Sequence, residues 1–106
     1  VLLVFNEGDD LLTSRMLQHD LGMVGSDGIY FPDGVVHPRV TGTAPRILGR
    51  AVRDWKLFSL ETAVHKLAGF AAKRFKVVDR GELAAGKFAD VVVFDPQTVI
   101  DRGTYA

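Results

Sequence analysis

Apolar positions along this chain come in two kinds of pattern. VLLVF at 1–5 is continuous and rich in β-branched residues, which predicts a strand covered on both faces and hence a parallel sheet. Beyond it Leu12, Met16 and His19 recur at helical spacing, with Asn6 placed to cap and Asp9 three residues on. This predicts an amphipathic helix over 7–19, ended by Gly22. Met23-Val24-Gly25 then predict a second short strand, and strand, helix, strand is the order of a right-handed parallel crossover. Asp27 falls at the carboxyl end of that second strand, where the loops of α/β barrels and open α/β sheets gather reactive groups.

Residues 28–43, with Gly28, Pro32, Gly34, Pro38 and Gly42, form a loop longer than a connection needs. Thr43 is placed to cap the next helix, with Pro45 in its first turn and an apolar stripe of Ile47, Leu48, Ala51 and Val52 running to Trp55. Ser59 caps a third helix, whose Leu60, Val64, Leu67, Ala68, Ala71 and Phe75 share one face, with Gly69 as a point of interruption. That stripe reads as core rather than as a cofactor pocket. After Asp79-Arg80-Gly81 a turn at Ala84-Ala85-Gly86 leads into a strand over 89–94, stopped by Pro96.

Composition narrows the function classes. With 106 residues, 47% of them hydrophobic, one domain is the ceiling. Thirteen basic and thirteen acidic residues give zero formal net charge, and the basic ones are scattered, which argues against a nucleic acid or an anionic membrane as partner. The lack of cysteine excludes disulfides and thiolate metal ligands and suits a reducing, cytoplasmic compartment. No apolar run approaches the roughly 18 residues that span a bilayer, and no secretion signal opens the chain. The chain starts without methionine, as a truncated chain would.

The densest chemistry lies in GSDGIYFPDGVVHPR, 25–39. Asp27 reads either as a turn acid beside a Gly28 at positive φ or as a reactive carboxylate. Arg39 reads either as a surface partner of Asp33 or Asp54 or as a guanidinium that grips a carboxylate through two parallel hydrogen bonds. His37 reads as structural, orienting the loop. His19 and His65 sit on helices without ligand spacing, as capping or solvent-facing residues. Asp90 reads as a structural partner of Arg80 or Lys87.

Taken together, GSDG at 25–28, HPR at 37–39, GTAPRILGR at 42–50, DRGELAAGKFADVVVFDP at 79–96 and the closing DRGTYA resemble the carboxyl-terminal portion of the N-acyl-D-amino-acid deacylases (D-aminoacylases) of the amidohydrolase superfamily. The resemblance implies an α/β fold: the last strands and helices of a (β/α)8 metal-dependent hydrolase barrel over 1–78, and part of a small β-sandwich over 79–106. It implies an amide hydrolysis by metal-activated water, with Asp27 as general acid and base, on a small N-acyl-D-amino acid. It also makes Arg39 the anchor of the substrate carboxylate, with His37, Ser26 and Gly28 in the same substrate-binding set.

The family's zinc ligands, an HxH pair, a cysteine and later histidines, have no counterpart here, so zinc belongs to the full-length family and not to this chain alone. At 67–72 Ala68 and Ala71 replace the family's threonine and proline, which implies a softer helix break. Three readings follow: a part of a deacylase that is inert alone, a non-catalytic module that self-associates or docks onto the missing part of the barrel, and a small-anion binder built on Arg39.

Overall fold

The computed structural model describes residues 9–30, 32–34 and 36–104; the strand expected at 1–5 and the cap expected at Asn6 lie outside them. Asp9 does the capping: its carboxylate accepts from the N–H groups of Leu11 at 2.8 Å and Leu12 at 3.2 Å, satisfying donors that the first turn leaves free. The helix α1, Asp10–Gln18, sends Leu17 to the core while Leu11, Leu12 and Met16 remain exposed. His19 closes it as C-cap. Gly22 then folds back onto the His19 carbonyl at 2.9 Å, where a Cβ would press on the Met16 oxygen at 2.9 Å.

No strand forms among the described residues. Met23-Val24-Gly25, expected as a strand, is irregular and is tied through the Val24 N–H to the Lys66 carbonyl at 3.3 Å. A strand exists only as a partner in a ladder, and the described residues offer these apolar runs no ladder. The same holds for 89–94, where Val91, Val92 and Val93 lie open to solvent.

The expected loop over 28–43 ends five residues early. Pro38 already has helical backbone angles, φ −51° and ψ −28°, and α2 occupies Arg39–Arg46. Thr43 is therefore no cap; it sits inside the helix and donates its hydroxyl to the Arg39 carbonyl at 2.8 Å. Pro45 also lies inside, where its missing N–H and its ring disturb the preceding turn. The rod does not stop there. It widens into π winding over Ile47–Asp54, whose i to i+5 bonding continues to the Trp55 N–H on the Arg50 carbonyl at 2.7 Å; a change of winding is a usual way to absorb such an insult.

Ser59 caps the next helix as expected, accepting from the Thr62 N–H at 3.2 Å. α3, Leu60–Val64, runs through a π-wound stretch at His65–Gly69 into α4, Phe70–Arg74, so Gly69 changes the winding instead of breaking the rod. The inward face differs from the expected one: Ala63 and Lys66 are buried, whereas Val64 and Phe75 are exposed. Packing decides which face turns inward: Ala63 sits in the crossing with Ile47 and Ala51, and Lys66 reaches the carbonyls of His19 and Gly22.

α3 packs on the Ile47–Asp54 stretch. The core at that crossing is Ile47, Ala51 and Ala63, flanked by Leu17, Val24, Leu48, Val52, Leu57, Phe58 and Leu67. The following segment makes the expected turn, with the Lys87 N–H on the Ala84 carbonyl at 3.1 Å and Gly86 at φ +84°. Asp90 has the structural partner expected of it, Arg80, at 2.6 Å.

The chain's last described residues return to the α2 rod. Arg53 donates from Nη1 to the carbonyls of Pro96, Gln97 and Val99 at 3.4, 3.2 and 2.8 Å. At Gly49 the Val99 carbonyl comes too close to admit a Cβ, which is why glycine serves there.

Candidate functional site

The Ser-Asp-Gly and His-Pro-Arg motifs meet at the amino end of α2. Ser26 Oγ accepts from the Gly28 N–H at 3.2 Å, a local turn that competes with regular structure. The left-handed residue in this turn is Asp27, at φ +46°, and not Gly28 as the turn-acid reading expects; aspartate is among the few side chains that visit this region readily. Glycine at 28 serves closeness instead, since a Cβ there would meet Val40 Cγ2 at 3.3 Å and Ser26 Oγ at 3.1 Å. The turn thus rests against the first turn of α2.

Arg39 is the first residue of that helix. Its N–H donates to His37 Nδ1 at 3.0 Å, so His37 satisfies one of the free donors at the helix start. The Arg39 guanidinium points back at the turn, placing Nη2 3.1 Å from Asp27 Oδ2. The Asp27 side chain is 82% exposed and that of Arg39 37%, so the pair sits at the solvent boundary. Arg39 Nε is buried and has no acceptor among the described residues. Asp27, rather than Asp33 or Asp54, is therefore the acid that Arg39 meets, and Asp54 pairs with Arg53 at 2.9 Å. Ser26, Asp27, Gly28, His37 and Arg39 come together in one place.

Three residues that hold this place escaped the reading from sequence. Lys66 is 4% exposed and donates from Nζ to the carbonyls of His19 at 2.7 Å and Gly22 at 3.0 Å, fixing the chain that leads into Ser26. Asp101 spans Arg46 at 3.3 Å and Arg50 at 3.1 Å. Burial raises the Asp101 carboxyl, but hydrogen bonds from Arg50 and Arg46 outweigh it and hold the group below its ordinary value. Gly103 lies against Pro38, where a Cβ would approach Pro38 Cβ to 3.0 Å. The usable signal was Ala63, Leu67 and Phe70 at helical spacing, a face on which Lys66 also falls; Asp101 and Gly103 act across more than fifty residues and leave no local signature.

Among the described residues no group of three His, Cys, Asp or Glu side chains could hold a metal ion, so this set does not fit one. His19 caps α1, and His65 stacks on Phe70 with ring centroids 5.6 Å apart. A cleft of about 950 Å³ opens between the 60–74 rod and the segment after it, lined by Leu60, Val64, Ala72, Val77 and Leu83 among others, but neither Asp27 nor Arg39 reaches it. No helix among the described residues is long and apolar enough to cross a membrane.

A model of the amidohydrolase family matches residues 12–104. The D-aminoacylase of Alcaligenes xylosoxydans xylosoxydans is 50% identical over 97 residues, which are 92% of this chain and 20% of that protein. The N-acyl-D-glutamate deacylase of the same organism is 48% identical over 97 residues, with the same coverage. A crystal structure of a D-aminoacylase, reported to define a novel subset of amidohydrolases, superposes with a TM-score of 0.84 at 47% identity, covering 91% of this chain and 20% of that one. The N-acyl-D-glutamate deacylase of Bordetella bronchiseptica, complexed with zinc and a phosphonate mimic of the tetrahedral intermediate, superposes with a TM-score of 0.84 at 46% identity and the same coverage. Another D-aminoacylase structure concerns a binuclear metal centre. The chain spans about a fifth of the length of the relatives it matches.

Proposed function

The chain belongs to the amidohydrolase family, and from that premise we propose that it carries the proton-transfer carboxylate and the substrate anchor of a zinc-dependent hydrolase that deacylates N-acyl-D-amino acids. In this reading residues 1–78 are the last strands and helices of a (β/α)8 barrel and 79–106 are part of a β-sandwich. The observation that carries the functional reading is the meeting of Asp27 with Arg39 at 3.1 Å: two motifs twelve positions apart converge on one boundary between protein and solvent.

Hydrolysis of an amide needs a group that takes a proton from the attacking water and returns one to the departing nitrogen, and a carboxylate does both in turn. Asp27 takes this role. Arg39 holds the free carboxylate of the substrate, its orientation set by His37 below and by the helix behind it, and a planar guanidinium suits that task better than an ammonium. The described residues offer zinc no ligand cluster, so no step through a metal is assigned to them. By itself the chain supplies proton transfer and anchoring, and it is inert.

A chimera tests this directly, with this chain replacing the matching fifth of the Alcaligenes D-aminoacylase. Loaded with zinc, it is expected to release the acyl group from N-acetyl-D-amino acids, and Asp27→Asn is expected to lower kcat by about 10²- to 10⁴-fold. A chimera equally active with asparagine at 27 would remove Asp27 from the mechanism.

A second reading, a non-catalytic module that self-associates or docks onto another part of such a barrel, is favoured by one observation: Val91, Val92 and Val93 are 60, 82 and 91% exposed in succession. A run of bare β-branched side chains seeks a cover.

A further inference from the structure

The two groups assigned above to anchoring and to proton transfer hold each other. We propose that the Asp27–Arg39 ion pair is a latch opened by the substrate: the incoming carboxylate takes the guanidinium from Asp27, and the released Asp27 becomes the working base. The inference rests on the assignment of Arg39 as carboxylate anchor and adds an order of events to it.

Four features support the exchange. The closest approach of the pair is Nη2 to Oδ2 at 3.1 Å, longer than the 2.6 Å at which Arg80 holds Asp90. The partners are held unequally. Arg39 is fixed at both ends of its backbone, by His37 Nδ1 on its N–H and by the Thr43 hydroxyl on its carbonyl, while Asp27 stands on an exposed turn with its side chain 82% in solvent. Asp27 is therefore the member that turns away.

Next, Arg39 Nε is buried without an acceptor among the described residues, and an unmet buried donor is costly. Turning the guanidinium outward lets a carboxylate bond Nε and Nη2 together, in the two-pronged manner arginine favours, which relieves that donor. Finally, an ion pair open to solvent contributes little, so exchanging one carboxylate for another is close to balanced and a bound substrate tips it.

The consequence concerns selectivity. A carboxylate turned toward the guanidinium is not turned toward the water it must activate. A ligand with an amide in place of the carboxylate leaves the latch closed, and discrimination falls on turnover as well as on binding.

The test uses the 106-residue chain and N-acetyl-D-alanine as probe, with N-acetyl-D-alaninamide as the neutral control. Nuclear magnetic resonance follows the Arg39 Nε–H signal and the Asp27 side-chain carboxyl carbon, and circular dichroism checks that each variant keeps its helices. The acid, and not the amide, is expected to shift both signals, and Arg39→Gln is expected to abolish the shift. Asp27→Asn removes the competitor and is expected to tighten binding about two- to fivefold, the worth of an exposed pair, with Asp27→Ser as a second variant should asparagine disturb the turn.

If binding depends on Arg39 but neither Asp27 variant tightens it and the Asp27 carbon stays put, the latch is overturned while the anchor stands. If the unaltered chain shows no shift, or the shift survives Arg39→Gln, both are overturned.

Discussion

At the scale of single residues, the chain separates charges that act locally from charges that tie distant segments together. Arg80 with Asp90 and Lys87 with Glu82, at 2.6 Å each, are surface pairs near in sequence and of small worth. Asp101 is different: its side chain is 15% exposed and shared between Arg46 and Arg50, so it fastens the end of the described chain to the helix that carries Arg39. Its carboxyl lies below the ordinary value of 3.8. A group whose folded value is depressed stabilises the fold above the unfolded value and loses that contribution as pH falls through the folded one.

Asp101→Asn is therefore expected to lower the urea midpoint at pH 7 by the equivalent of about 1–2 kcal/mol. The difference from the unaltered chain should shrink steadily below about pH 4, as the unfolded carboxyl takes up its proton first. An Asp101→Asn penalty that stays the same at pH 3 as at pH 7 would show that charge has no part in it. None of this was legible in DRGTYA, because a carboxylate's partner fifty residues away writes nothing into its neighbours. Ser59, Asp90 and the Ala84-Ala85-Gly86 turn were legible, since capping, short-range pairing and turn chemistry are decided within a few residues. The five candidate residues were singled out from their motifs, yet the contact between Asp27 and Arg39 and the left-handed backbone at Asp27 depend on how two loops pack.

At the scale of elements, helices were readable and their limits were not. Proline carries two opposite messages: it starts helices comfortably and breaks them in the middle. The chain has Pro38 and Pro45 within eight residues, and reading Pro45 as the start places the helix five residues late. The structure uses Pro38 at the start and tolerates Pro45 inside, at the junction between α-helical Arg39–Arg46 and the π-wound Ile47–Asp54.

Pro45→Ala is expected to raise stability by about 1–3 kcal/mol, because alanine restores the N–H and removes the clash with the turn before it. Thermal unfolding followed by circular dichroism reads this as an upward shift in midpoint. A lower midpoint would mean that the bend places α3 and the core contacts Ile47, Ala51 and Ala63, and that straightening the rod pulls them apart. The misread face of the 60–74 rod has a different cause: Ala63 meets Ile47 and Ala51 in the core and Lys66 finds the His19 and Gly22 carbonyls, partners that a stripe read along one segment does not contain, and so Lys66 turned inward where Val64 was expected.

At the scale of the whole molecule, the surface is too large for the chain that makes it. A folded monomer of 11.6 kDa should expose about 5,800 Å², whereas this one exposes 8402 Å². Its radius of gyration is 15.0 Å against about 13 Å for a compact domain of this length. Among the described residues the buried apolar side chains are Ile47, Ala51 and Ala63, while Val78, Leu83, Phe88, Val91, Val92 and Val93 stand open along one stretch of chain. In relatives about five times longer there is polypeptide to cover such a stretch.

Alone, the chain has zero formal net charge at pH 7, so little repulsion keeps copies apart. The expected outcome is association at neutral pH, seen as a sedimentation coefficient that rises with concentration. Val92→Lys together with Val93→Lys should weaken it tenfold or more, about the worth of one buried valine. A sedimentation coefficient that stays at the compact-monomer value up to high concentration would mean that this apolar surface is masked within a single copy, and the interaction reading would lose its support. Because α2 and the Asp27 turn lie on a different part of the chain from 89–94, the lysine variants also separate the two readings: they should abolish association while leaving the Arg39 response to N-acetyl-D-alanine intact.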